Sequence, residues 1–326
     1  MNSRKIEWSK FGIYFVAVLM FIACTFLSPN FLTRINLTNI LKQMSVILMA
    51  AFGETLLIIM GGIDLAVGAE MALSGIISIY VYYATHSLIL SLIAGLVVGA
   101  ICGAALGTIV TKLHVPPFIA GLAVMEICRG SVYLITGGYS LYKLGDFVFF
   151  GQSVVLNIIP ISAVFAAVVA LLFYILLNHT KQGRYIYAIG GNAKAAAASG
   201  IRTDSVVLRT YIISSMIMGL AGVVLMARMN SGNPDAGSGY EFQAITAAVI
   251  GGTSMLGGIG SIQGTIIGGL IVGMLQNIMN LNSIQPFVQQ IVKGIIILLA
   301  VVYDLNSSVI HKSKPERVKK EISNKK

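Results

Sequence analysis

Four charged side chains, Glu54, Glu70, Glu126 and Arg129, stand inside stretches of chain that are otherwise almost wholly apolar. A charge at the centre of a bilayer costs roughly 2.5–3.5 kcal/mol on insertion scales, so such residues must face protein or water and become candidates for gating, titration or substrate contact. Glu126 and Arg129 are three apart, on neighbouring positions of one helix face, which predicts a mutually neutralising pair. Asp64 follows Gly61-Gly62 and is expected to cap a helix N-terminus. Gln276, Asn277 and Asn280 set amides in another apolar run and are expected to face a solute path. The rest of the chemical inventory is thin. There is no Gly-Lys dipeptide, hence no GxxxxGK[ST] phosphate loop, and any ATP-driven step must belong to another chain. An HExxH pair, a GxSxG elbow and a metal-ligand cluster are also missing from the sequence, so no catalytic residue, metal or cofactor is assigned. His86, His114, His179 and His311 fall singly at loops and span ends, and Cys24, Cys102 and Cys128 read as packing residues.

These residues need a membrane to hold them. Of 326 residues, 56% are apolar and 10% charged, against about 25% charged in an average soluble domain, so most side chains never meet water. That composition excludes a soluble enzyme, a disulfide scaffold and, despite a net charge of +10, a nucleic-acid-binding domain. A bilayer-crossing helix needs about 20 mostly apolar residues, with about 17 tolerable. Ten windows fit, near 11–28, 41–61, 64–84, 88–111, 116–136, 154–177, 208–227, 242–258, 262–281 and 287–304. The sequence predicts an all-α polytopic bundle of about ten spans, one transmembrane domain over 1–310 followed by a basic tail at 311–326. With a cytoplasmic start, sixteen Lys/Arg fall inside and four (Arg34, Lys42, Lys143, Arg228) outside, which favours cytoplasmic termini. The start Arg4, Lys5, Lys10 and the run Phe11 to Leu27 read as a retained first span.

Glycine supplies the packing. Lipid tails are as apolar as leucine, so spans associate through close contact at small residues. Gly95, Gly99, Gly103 and Gly107 form one stripe, and Gly260, Gly264 and Gly268 another. A short echo links Met60-Gly61-Gly62-Ile63-Asp64 with Ile250-Gly251-Gly252-Thr253-Ser254, as in transporters built from repeats. Asn233-Pro234-Asp235 reads as a turn. In the loop 178–207, Asn192 can cap a helix over Ala193 to Ser199, and Gly200 can end it in the left-handed conformation. A seven-residue helix is about 10 Å long and marginal alone, so a docking partner or the membrane surface must stabilise it.

Four stretches in series carry a family likeness: GGIDLAVGAEMALSG at 61–75, KLHVPPFIAGLAVM at 112–125, GRYIYAIGGNAKAAAASGI at 183–201 and GYEFQAITAAVIGGTSMLGGIGSIQGTIIGG at 239–269. Together they resemble the membrane permease subunit of bacterial sugar ABC importers, in the ribose-type branch whose relatives handle xylose, galactose, inositol and autoinducer-2. The resemblance covers about 40–303. It implies a multi-pass protein of the bacterial cytoplasmic (inner) membrane, a homodimer of permease chains, a cytoplasmic ABC ATPase binding ATP and magnesium, and an extracytoplasmic sugar-binding protein. It also implies a coupling role toward the ATPase for Gly190, Gly191, Asn192, Ala193, Lys194, Ala197, Ser199 and Gly200. This chain has Ala193-Lys194-Ala195 where relatives commonly carry an acidic residue, which implies a different charge preference in the ATPase groove.

The function expected on these grounds is import of a monosaccharide, ribose or similar, by alternating access powered by a separate ATPase. Valine at Gly191 or Gly200 is expected to uncouple hydrolysis from uptake. The alternative is an ion-gradient-driven secondary transporter of a small polar solute that uses an intramembrane carboxylate.

Overall fold

The computed structural model describes residues 8–155, 159–302 and 304; the tail at 311–326 lies outside them. Helices dominate: α1 Trp8–Leu27, α2 Arg34–Met60, α3 Val67–Thr85, α4 Leu88–Lys112, α5 Pro117–Thr136, the short α6 Phe149–Gln152, α7 Ile161–His179, α8 Lys181–Ala198, α9 Thr203–Met229, α10 Tyr240–Ile250, α11 Ile262–Leu281 and α12 Pro286–Val302. Seven of these (α2, α3, α4, α5, α7, α9 and α11) are long and apolar enough to cross a membrane. One small hairpin pairs Val154–Val155 with Ile159–Pro160.

The centre of the bundle is α9, about 40 Å long at 1.5 Å per residue, wrapped by α2, α3 and α4. Small residues set this arrangement. A Cβ on Gly99 would collide with the Ser215 carbonyl, and one on Gly103 with the Tyr211 carbonyl. Gly219 approaches Gly95 in return, so α4 and α9 lie backbone to backbone along the first glycine stripe. Gly264 and Gly268 let α11 approach the Gly251 and Ala247 carbonyls of α10 in the same way. The side chains left outside are the large apolar ones, such as Phe26, Ile89, Leu134 and Leu171, which suits contact with lipid.

Two windows differ from the helices they were meant to be. The window 242–258 holds α10, whose 11 residues rise about 16 Å and end at Ile250. Gly252 (φ +86°) reverses the chain there, and residues 251–261 form a loop instead of a continued span. The window 154–177 begins with the hairpin, and its helix starts only at Ile161, behind Pro160. The Gly-Gly echo proves to be a shared stop signal. Gly61 (φ +88°) closes α2, its N–H and that of Gly62 donating to Ile58 and Leu57 carbonyls at 2.9 and 2.8 Å. Gly252 and Thr253 close α10 with the same pattern onto Val249 and Ala248, at 2.9 and 3.0 Å.

Candidate functional site

The conspicuous polar segment, 178–207, is larger than the seven-residue stub expected. Thr180 caps α8 by accepting from Gly183 N at 3.1 Å, and helix runs from Lys181, breaks at Asn192 (φ −164°, ψ 100°) and resumes to Ala198. At the break the Asn192 side chain accepts from Ala195 N at 3.0 Å, which restarts the helix as an N-cap does. Gly200 (φ +84°) ends it: its N–H and that of Ile201 donate to Ala197 and Ala196 carbonyls. The second half-helix is largely exposed, Ala193, Lys194, Ala197 and Ser199 among its outward residues, while Ala196 is buried.

The first half of α8 is held against the bundle most tightly near its end. Gly190 sits so close to the α2 terminus that a Cβ there would overlap the Ile59 carbonyl oxygen and stand 2.6 Å from Gly258 N. That carbonyl already accepts from Gly258 N at 2.7 Å. One turn earlier, Tyr187 donates its hydroxyl to the Gly260 carbonyl at 2.8 Å, and burial raises its phenol above the ordinary tyrosine range. The end of α2, the loop after α10 and the segment before the Asn192 break thus meet in one backbone junction. Gly191, next along, has open space around it. Sequence reasoning missed Tyr187 and Gly258; an aromatic hydroxyl within an otherwise polar loop was the signal for the first.

Above this junction lies a buried acidic region. Glu54, Asp64 and Glu70 are all fully buried. Asp64 is not the N-cap expected: Ala66 occupies that position, and Asp64 Oδ1 accepts from Ala66 N at 2.7 Å while its own N–H donates to Glu54 Oε1 at 3.1 Å. The three residues after Gly61 turn the chain before α3 can begin, which displaces Asp64 upstream of the cap. Glu70 accepts from Ser215 Oγ at 3.3 Å. Tyr211 points its buried hydroxyl toward the same break, where a Cβ on Gly62 would lie 2.9 Å from it.

Glu126 and Arg129 do not pair. Glu126 is exposed, and Arg129 reaches the other way, donating through Nη1 to the Pro234 and Ala236 carbonyls at 2.5 and 3.1 Å. One turn further, Tyr133 donates to Asp235. The guanidinium lies half-buried beside the loop while Glu126 sits on the outward face, and its two bonds satisfy backbone acceptors of that loop. That loop, 230–239, holds a turn at Asn233, whose Oδ1 accepts from Asp235 N at 2.8 Å and whose carbonyl accepts from Ala236 N at 3.0 Å. It then presses Gly237 against the backbone of Gly68 on α3. The loop therefore enters the bundle before α10 starts.

The three amides of α11 divide. Asn277 exchanges two hydrogen bonds with Asn36, 3.1 and 2.8 Å, locking α11 to α2 and leaving that side chain committed to packing. Gln276 donates to Gln289, which donates on to Asn280 at 3.0 Å, and the Gln276 carbonyl oxygen is buried without a partner.

The family model described as "Branched-chain amino acid transport system / permease component" matches residues 36–301. This chain belongs to that family. The permease is 42% identical to the ribose import permease protein RbsC of Bacillus subtilis over 302 residues, 92% of this chain and 94% of that one. It is 41% identical to RbsC of Escherichia coli K12, covering 89% of this chain and 92% of the relative. To the D-allose transport system permease protein AlsC of E. coli it is 40% identical over 91% and 92%. No solved structure matches it. The permease is a multi-pass membrane transport subunit and not an enzyme, and the resemblance drawn from its four sequence stretches holds along nearly the whole chain.

Proposed function

We propose that this permease carries a monosaccharide, ribose or a close relative, across the bacterial cytoplasmic membrane by alternating access. The relatives support the sugar: proteins named for ribose, allose and arabinose match over 90% or more of their own length, although the family is described by amino acid transport. Two permease chains enclose the path, a sugar-binding protein delivers cargo outside, and an ABC ATPase binds ATP and magnesium inside. About ten membrane segments, α10 with its loops counted as one, leave both termini cytoplasmic.

In this reading the exposed half-helix after Asn192 is the handle held by the ATPase, with Ala193, Lys194, Ala197 and Ser199 touching it. Gly190, Gly191, Asn192 and Gly200 shape the handle. The observation that carries the mechanism is the junction of Gly190, Ile59 and Gly258, because displacement of α8 there reaches α2 and the loop after α10 together. α2 bears Glu54, to which Asp64 is hydrogen-bonded, and the loop continues from the α10 half-helix, so the junction joins ATPase closure to rigid-body rocking of the bundle. Glu54, Asp64, Glu70 and Arg129 hold the interior breaks in place as the gate, and Gln276 and Asn280 offer amides to sugar hydroxyls.

The test is site-specific crosslinking in the assembled importer. A photoreactive residue at Lys194 should trap the ATPase, and one at Lys143 should not. Trapping from Lys143 alone would reverse the orientation and remove α8 from the coupling role.

A further inference from the structure

Two cavities adjoin where α7, α8 and α9 meet; one is lined almost wholly by apolar side chains, and the other sets three cations among Tyr185, Ile201 and Val206. One, about 450 Å³, lies between the end of α7 and the start of α9 and is lined by Leu172, Ile175, Leu176, Ile212 and Ile213. Its neighbour, about 430 Å³, lies under α8 and is lined by Lys181, Arg202, Arg209, Ser205 and Tyr185. Gln182 and Arg209 line both, so the two are continuous. Gln182 is fixed in place by donating to the Val206 carbonyl at 3.0 Å and to Thr210 Oγ1 at 3.1 Å.

The charge in the second cavity is one-sided. No acid is among the residues that line it, and Asp204, the acid nearest along α9, is exposed and 3.9 Å from Lys112 of α4. Arg202 stands at the N-cap of α9 with no side-chain cap, so the positive end of a 27-residue helix adds to the field of the three cations. An apolar trough between two membrane helices that leads into a pocket bearing three cations has the shape of one molecule: an acyl chain in the trough, a phosphate headgroup among the cations.

We propose that this bipartite cavity is a binding site for an anionic glycerophospholipid. The phosphodiester sits among Lys181, Arg202 and Arg209, Ser205 donates its hydroxyl, and one acyl chain lies along Leu172, Ile175 and Ile213. Gly200 also lines the headgroup pocket, so the lipid braces the C-terminal end of α8 and ties its position to the anionic lipid of that leaflet. Which leaflet this is rests on the orientation proposed above; the site itself does not.

The experiment uses the full permease, with and without its ATPase, delipidated in detergent, and reads bound lipid by native mass spectrometry together with the thermal unfolding midpoint. Phosphatidylglycerol should be retained and should raise the midpoint. Phosphatidylcholine with the same chains, and inorganic phosphate, should do neither. Affinity for phosphatidylglycerol should fall about fivefold for each charge removed in Lys181→Gln, Arg202→Gln and Arg209→Gln, with Lys143→Gln as the unaffected control. Ile213→Trp, which fills the trough, should abolish retention with all three cations intact. Equal binding of the two lipids, protection by free phosphate alone, or retention by the triple variant would overturn the assignment. So would displacement of bound lipid when the ATPase is added, which would give the basic pocket to the ATPase instead.

Discussion

Adding a single methyl group to Gly190 and to Gly191 in turn separates coupling from mere helix formation. In Gly190→Ala the new Cβ must occupy the space between Ile59 O and Gly258 N, atoms already hydrogen-bonded at 2.7 Å. Both are backbone, so neither can rotate away. Overpacking of this kind costs about 1–3 kcal/mol, and losing the hydrogen bond about 1 kcal/mol more. A junction that transmits a conformational change loses coupling in proportion, roughly 5–150-fold for 1–3 kcal/mol. Gly191 has nothing near its Cβ direction and no left-handed φ, so Gly191→Ala has nothing to disturb. The assay is sugar accumulated per ATP hydrolysed by the importer in proteoliposomes. Gly190→Ala should hydrolyse ATP while accumulating at least fivefold less sugar per turnover, and Gly191→Ala should match the wild type. Wild-type coupling in Gly190→Ala, or equal damage in both, would refute the junction as the route. The expected sensitivity has moved from Gly191 to its neighbour. Gly200, in open space, is sensitive only through its positive φ.

Arg129→Gln should lower the thermal midpoint, because it removes charge-assisted bonds to Pro234 and Ala236 worth about 1.5–3 kcal/mol each; an unchanged midpoint would show the loop held by other contacts. Gly99→Leu should break the α4–α9 contact and reduce folded protein sharply, whereas Gly130→Leu, in open space, should not; measured yields of monodisperse protein decide between them. A double-mutant cycle on Asn36→Ala and Asn277→Ala should give a coupling of about 0.6–1.7 kcal/mol in unfolding free energy, with sugar specificity unchanged. Additive effects would return Asn277 to the solute path.

Much of this architecture was legible in the sequence because the membrane makes apolar length a reliable ruler and glycine spacing a reliable sign of close contact. The stripe at Gly95 to Gly107 and the pair Gly264 and Gly268 lie where backbones touch, whereas Gly260 falls in the loop before α11. What escaped was what depends on the third dimension. Arg129 and Glu126 share a helix face on paper, yet nothing in their spacing shows that two carbonyls of the loop before α10 would be nearer. Asp64 slipped from its cap because the turn after Gly61 consumed two more residues than an immediate restart. The window 242–258 was apolar enough to span, but hydropathy does not register the left-handed stop at Gly252. At the coupling segment the sequence showed the cap at Asn192 and the stop at Gly200, since both are local backbone chemistry. The docking of Gly190 involves Ile59 and Gly258, 131 and 68 residues away, and no local signal announces it.

The central claim is that this permease has no engine of its own and is driven through α8 by a partner. Uptake of labelled ribose into proteoliposomes measures it directly, with the permease reconstituted alone under a proton or sodium gradient and, in parallel, with its ATPase and binding protein under internal ATP. Accumulation in the second set, unaffected by a protonophore and absent from the first, is the result predicted. Accumulation by the permease alone on an ion gradient would contradict it.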